Sequence, residues 1–165
     1  MKLVLVRHAK AVDRIKALLK GVQDSGRPLT KKGKLKFAEF VKDNKALFLK
    51  ADLYASSEFL RAEQTLEVLL KELYGNKPEQ VHSTKLKKIT PDDLPAQFIK
   101  WIAQQKINSA VVISHEPFIT KFLQTVLGTK WKDEKIRKGS TVVLNFSKNQ
   151  FKLISTHHPK KNSEE

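Results

Sequence analysis

The chain has 165 residues, long enough for one domain and short for two; at that size folding buries about 68–70% of the unfolded surface without covalent staples. It contains no cysteine, which excludes disulfides, thiolate metal sites and a cysteine nucleophile together. Lys and Arg outnumber Asp and Glu by 32 to 17, a net charge of +15. Such a field attracts anions in general. The excess is spread over Lys31–Lys36, Lys85–Lys88 and Lys130–Lys138 with few interleaved aromatics, which reads as a solvated or anion-steering surface before a nucleic-acid one.

The first element is an apolar run, Leu3-Val4-Leu5-Val6, followed at once by Arg7-His8. A strand buried on both faces that releases polar groups at its C-terminal end is how open α/β sheets build sites. The run is too short for a signal-peptide core, and no stretch approaches the roughly 18 apolar residues of a membrane span. The expectation is a soluble, cytoplasmic protein. A short helix is predicted over Val12–Lys20, broken at Gly21, with turn chemistry at Asp24-Ser25-Gly26-Arg27-Pro28. Thr30 is the expected cap of a helix from Lys31 to Lys45 with Leu35, Ala38 and Val41 on its buried stripe and Phe37 and Phe40 widening it. Asp52–Ser56 reads as a strand, and Ser57 as the cap of a helix over Glu58–Tyr74 with Phe59, Ala62, Leu66, Leu69, Leu70 and Leu73 on its apolar face.

A strand near Gln80–Ser83 follows, and then Thr90-Pro91-Asp92-Asp93, a capping box with proline at the first position of a helix over Pro91–Gln105. Ala110–Ser114 repeats the opening pattern, an apolar run ending in His115. Pro117 opens a helix to Leu127, and Thr141–Phe146 with Phe151–Thr156 form a closing hairpin. Strands alternating with helices predict a three-layer α/β/α sandwich, its central sheet mostly parallel with an antiparallel hairpin edge. Residues 1–156 make one domain, and 157–165 a loose polar tail.

His8 alone would be an ordinary histidine after a strand. Its company raises it: Arg7 is adjacent, Arg61 stands in the first turn of a helix, and His115 ends another strand. Two arginines and two histidines, if they converge at a helix N-terminus, form a pocket for a tetrahedral dianion.

At these residues the chain resembles the histidine phosphatase superfamily, the fold of cofactor-dependent phosphoglycerate mutase. Arg7-His8 resembles its first signature. Arg27-Pro28-Leu29-Thr30-Lys31-Lys32-Gly33 is similar to its LT..G segment, and Ser57-Glu58-Phe59-Leu60-Arg61-Ala62-Glu63-Gln64-Thr65 to its S-x-x-x-R-A-x-Q-T helix start. Ile113-Ser114-His115 is similar to the segment of the second catalytic histidine. Chain length, the RPLT segment and SSEFLRAEQT narrow the resemblance to the SixA branch, the phosphohistidine phosphatases. It implies that His8 is the transiently phosphorylated nucleophile, and that Arg7, Arg61 and His115 hold the phosphoryl oxygens, with Ser57 a further contact. No Asp/His cluster has ligand spacing, so neither metal nor cofactor is expected. The implied partner is a phosphohistidine-bearing phosphotransfer or phosphocarrier protein, acted on by a monomer.

Two points depart from the family pattern. Ala9 stands where relatives carry glycine, followed by Lys10, which reads as surface. No general acid is obvious; Glu116 and Asp13 are the candidates, Asp24 a weaker one. A missing acid suits a P–N bond, whose imidazole leaves without the enzymic proton an alkoxide needs. The rivals are a phosphomonoesterase of the same fold acting on small esters, and a non-catalytic phospho-anion or nucleic-acid binding module.

Overall fold

The computed structural model describes residues 1–75, 81–131 and 136–160. Its sheet is built from β1 (Lys2–Arg7), β2 (Leu53–Ser57), β3 (Ser83–Leu86), β4 (Ser109–Ser114), β5 (Thr141–Ser147) and β6 (Gln150–His157), in the order β3-β2-β4-β1-β5-β6. The pairs β2·β3, β2·β4 and β1·β4 are parallel, while β5 runs antiparallel to both β1 and β6. Among the described residues the α-helices are α1 (Arg14–Leu18), α2 (Lys31–Asp43), α3 (Lys45–Phe48), α4 (Leu60–Tyr74), α5 (Pro95–Ala103) and α6 (Phe118–Leu127).

The period of two in β1 divides the core. Leu3 and Leu5 join Phe98 and Ile102 of α5 and Phe118 and Phe122 of α6 on one face of the sheet. Val4 and Val6 join Phe37, Phe40 and Val41 of α2 and Leu66 and Leu69 of α4 on the other. The expected three-layer sandwich with an antiparallel hairpin edge is therefore present. All four apolar residues of β1 are essentially inaccessible. Each contributes about 1.5–3 kcal/mol on burial, which together exceeds the roughly 1–3 kcal/mol cost of an unpartnered polar atom at the strand's end.

Several boundaries differ from expectation. Helix α1 is only Arg14–Leu18, capped by the Asp13 carboxylate on the N–H groups of Ile15 and Lys16. Thr30 does cap α2, its Oγ1 accepting from Gly33 N at 2.9 Å, but Leu35 is exposed; the buried face is Gly33, Phe37, Phe40 and Val41, because α2 turns Phe37 and Phe40 inward. Ser57 is the last residue of β2 and not a helix cap, since the chain needs Glu58 and Phe59 to turn from strand into α4. The strand expected near Gln80–Ser83 forms at Ser83–Leu86, Gln80 lying outside the described residues. The Thr90–Asp93 box closes as a turn, with Thr90 N and Oγ1 both donating to Asp93 Oδ2 at 2.7 Å. The helix starts only at Pro95, because the residue before a proline is pushed out of the helical region and Leu94 is accordingly extended. Strand β6 runs one residue into the stretch read as tail, ending at His157.

Candidate active site

The parallel register of β1 and β4 assembles the centre. Arg7 pairs with Ser114, so the next residue on each strand is a histidine, and neighbouring strands lie about 4.8 Å apart. The His8 N–H donates to Ser114 O at 2.9 Å, and Gly139 N donates to the carbonyls of Arg7 and His8. The His8 and His115 ring centroids are 5.0 Å apart. Strand β2 lies on the other side of β4 and delivers buried Ser57, then Arg61 in the first turn of α4. Arg7, His8, Ser57, Arg61 and His115 thus meet at the C-terminal ends of three parallel strands.

Hydrogen bonds define the state of His8. Its Nδ1 lies 2.7 Å from Ala9 O, an acceptor only, so Nδ1 carries the hydrogen and donates. Nε2 then presents its lone pair, which accepts from Arg61 Nε at 3.2 Å. Ala9 N in turn donates to Thr65 Oγ1, which donates to Arg61 O. The backbone carbonyl that fixes the tautomer is thereby tied to α4. Ala9 is not among the residues with positive φ, which is why alanine serves where glycine was expected. The close approach occurs instead at Gly33, where a Cβ would meet Lys10 O at 2.3 Å; that carbonyl also accepts from Thr30 N.

The guanidinium of Arg61 is held from behind. Nη1 donates to Asp24 O at 2.6 Å and Nη2 to Asp24 Oδ2 at 3.0 Å, while Phe59 lies under its Cζ at 4.9 Å. Arg27 donates from Nε to Asp24 Oδ1 and from Nη1 to Val12 O. Burial raises the Asp24 carboxyl pKa, but Arg61 and Arg27 outweigh it and hold the group below its ordinary value. Asp24 is thus an ionised orienting carboxylate. Asp13 is exposed and committed to capping α1, its pKa lowered chiefly by the Lys16 N–H. Glu116 accepts from Thr120 N at 3.4 Å through Oε2 and leaves Oε1 buried and unpartnered; burial lowers the Arg7 pKa, and the Glu116 charge opposes that fall.

Arg7 Nη1 donates to Ile136 O at 2.6 Å, while its Nε is buried without a partner. Both ring nitrogens of His115 are buried and unpartnered too, and Phe59 meets that ring edge-on at 5.2 Å. One His115 nitrogen must carry a hydrogen, so the centre holds buried N–H donors aimed at no protein acceptor. That arrangement suits an oxyanion. Arg27, Phe59 and Thr65 are parts of the centre that motif reading did not assign to it, and Asp24, an acid candidate there, orients Arg61 instead. Their signal was present only as neighbours of Leu29-Thr30 and Arg61. Among the described residues, no group of three or more His, Asp or Glu could hold a metal ion, and no helix is long and apolar enough to cross a membrane.

Burial pushes His8 down to about 3; its bond to Ala9 opposes this, and Arg61, Arg7 and Arg27 add to it. Burial, then His8 and the arginines, push His115 down to about 2. Both rings are neutral at pH 7. The unfolded chain binds these protons more readily, with a pKa near 6.5. The stability from burying the neutral rings is therefore full above about pH 6.5 and lost as pH falls toward 3. Each histidine contributes up to about 1.4 kcal/mol per pH unit in that window. Urea unfolding at pH 7 and pH 5 is expected to differ by up to about 4 kcal/mol. His115→Asn should roughly halve the difference, and equal midpoints at the two pH values would contradict the neutral pair.

The family model described as histidine phosphatase superfamily (branch 1) matches residues 3–87, just over half of the chain. No curated protein matches the chain in sequence. Among solved structures, the protein histidine phosphatase SixA complexed with tungstate is similar at 21% identity and a TM-score of 0.80, over 96% of this chain and 97% of that one. The alpha-ribazole phosphatase from Shigella flexneri is 15% identical with a TM-score of 0.67 over 100% of both chains. A phosphoglycerate mutase from Bacillus anthracis str. Sterne is 13% identical with a TM-score of 0.67, over 94% of this chain and 92% of that one. At these identities the likeness concerns the fold. The sequence match and the pair of neutral histidines among buried arginines lead to one conclusion: the chain belongs to the histidine phosphatase superfamily.

Proposed function

We propose that this protein is a phosphohistidine phosphatase acting on a phosphotransfer or phosphocarrier protein in the cytoplasm. The observation that carries the reading is the fixed tautomer of His8, whose Nε2 lone pair stands among Arg61, Arg7 and His115. In the first step Nε2 attacks phosphorus in line on a phosphohistidine already protonated at its other ring nitrogen. The substrate's P–N bond breaks, its electron pair goes to the departing nitrogen, and the ring leaves as neutral imidazole while phospho-His8 keeps its hydrogen on Nδ1. A P–N bond is exchanged for a P–N bond, so the step needs no strong acid. Arg7, Arg61 and the N–H of His115 take the charge on the equatorial oxygens, and Ser57 lines the same wall. Water then attacks phospho-His8; Nε2 regains its lone pair and the water's proton stays with the released phosphate. Asp24, which orients Arg61, and Asp13, which caps α1, both hold their carboxyl pKa below the ordinary value, which leaves them poor proton donors and favours an imidazole leaving group.

One observation supports a second reading, a phosphomonoesterase: Oε1 of Glu116, the residue after His115, is buried without a hydrogen-bond partner, a carboxyl oxygen not committed to the fold. The test offers a phosphohistidine-bearing phosphotransfer domain and glycerol 2-phosphate, an alkyl ester whose leaving alkoxide must be protonated, to the same preparation. The expected kcat/KM is at least about 10²-fold higher for the first, because the ester lacks a good proton donor. Preference for the ester, abolished by Glu116→Gln, overturns the phosphohistidine reading.

A further inference from the structure

Beside the centre, on the β5 side of β1, lies a cleft of about 410 Å³ that shares Arg7 and Ala9 with it. Its cations come from separate parts of the chain: Lys10 after β1, Lys32 and Lys36 on α2, Arg137 and Lys138 before β5, and Arg7 at its inner end. Among the described residues no Asp or Glu lines it, and Phe37 and Pro159 supply apolar floor. Lys32 and Lys36 are four residues apart on one helix, where like charges repel. Concentrating cations in a concave, partly apolar wall raises the local potential well above that of a scattered basic surface. A phosphoryl group needs only the buried donors already described, so this cleft is extra to the chemistry.

We infer that the cleft docks an acidic segment of the phosphoprotein substrate, adjacent to the phosphohistidine. The inference rests on the phosphoprotein reading above and deepens it. Two features favour a protein over a small polyanion. The lining cations are chiefly lysines, point charges on flexible stems without the rigid fork that fixes a second phosphate; Lys10, Lys32 and Lys138 are exposed. On the Asp24 side of the centre, α1 and the residue after it present Ile15, Leu18 and Leu19, 68%, 68% and 82% exposed. That turn is tied to the centre, since Arg14 reaches the same Asp24 that holds Arg61, at 3.5 Å. Exposed apolar side chains and a basic cleft, both joined to one centre, match a macromolecular face.

The test uses two synthetic phosphohistidine peptides of one length, one flanked by glutamates and the other by glutamines. Wild type is expected to turn over the acidic peptide with a kcat/KM about 10-fold higher at low salt, a preference that fades as salt screens it. In Lys32→Gln/Lys36→Gln/Arg137→Gln the ratio should fall to near one, while Lys71→Gln/Lys100→Gln/Lys152→Gln, with the same loss of charge outside the cleft, should keep it. Equal turnover of both peptides by wild type, or a ratio lost equally in the two triple variants, overturns docking in the cleft and leaves the phosphohistidine reading standing. If neither peptide is a substrate, that reading fails. Anisotropy of a fluorescein-labelled, unphosphorylated glutamate-rich peptide still reads the cleft, and binding that is unaffected by the cleft triple variant overturns the inference. Displacement of that peptide by micromolar tripolyphosphate would assign the cleft to a small polyanion instead.

Discussion

Replacing His8 by alanine is expected to lower turnover of phosphohistidine by about 10⁴-fold or more, as for loss of a covalent nucleophile elsewhere. The reason is geometric as well as chemical. Nδ1 is committed to Ala9 O, so Nε2 is the nitrogen that can attack once a phosphoryl oxygen takes over the Arg61 Nε–H it accepts at 3.2 Å, and burial keeps it unprotonated. No second histidine can take over. His115 lies 5.0 Å away, ring to ring, but no carbonyl fixes its tautomer, as both its nitrogens are unpartnered. The discriminating measurement is an acid quench during turnover. Wild type should carry an acid-labile, base-stable phosphate that His8→Ala and His8→Asn lack, with His8→Asn retaining a native thermal melt. Undiminished turnover in either variant would remove His8 from the mechanism.

Substitution of Arg61 by lysine is the second large expected effect, a fall in kcat on the order of 10³-fold. Arg61 uses its fork in two directions at once. Nη1 and Nη2 are held by Asp24 while Nε faces His8. Lysine offers a single ammonium that cannot satisfy both sides. The loss should fall on kcat more than on KM, because the interaction strengthens as the phosphoryl group loosens in the transition state. Asp24→Asn keeps the hydrogen-bonding shape without the charge, and its expected loss is smaller, about 10-fold. A lysine variant with wild-type kcat, or an Asp24→Asn loss as large as that of Arg61→Lys, would show that Arg61 acts otherwise. The second outcome would make Asp24 itself a participant rather than the group that orients Arg61.

What could be read before any fold was known was local. An unbroken apolar run before Arg7-His8 and another before His115 specify buried strands, because only a strand covered on both faces tolerates that pattern. Thr30 three residues before Gly33 specifies the start of α2, and the apolar spacing of Leu66, Leu69 and Leu70 specifies α4, since caps and helical periods depend on neighbours a few residues away. Long-range pairing decided the rest. Arg7 opposite Ser114 puts His8 beside His115 across 107 positions of chain, a register that neither strand encodes alone. Asp24 read as a weak acid candidate, and the return of Ala9–Gly26 over the centre made it the carboxylate that orients Arg61. Leu94 and Pro95 moved the start of α5, and packing turned Leu35 outward. The first signature, Leu3 to His8, thus specified by itself a buried strand and the two groups that leave it. Which nitrogen of His8 faces the reaction, and at what pKa, was decided by Ala9 O, Arg61 and burial, all supplied by the tertiary fold.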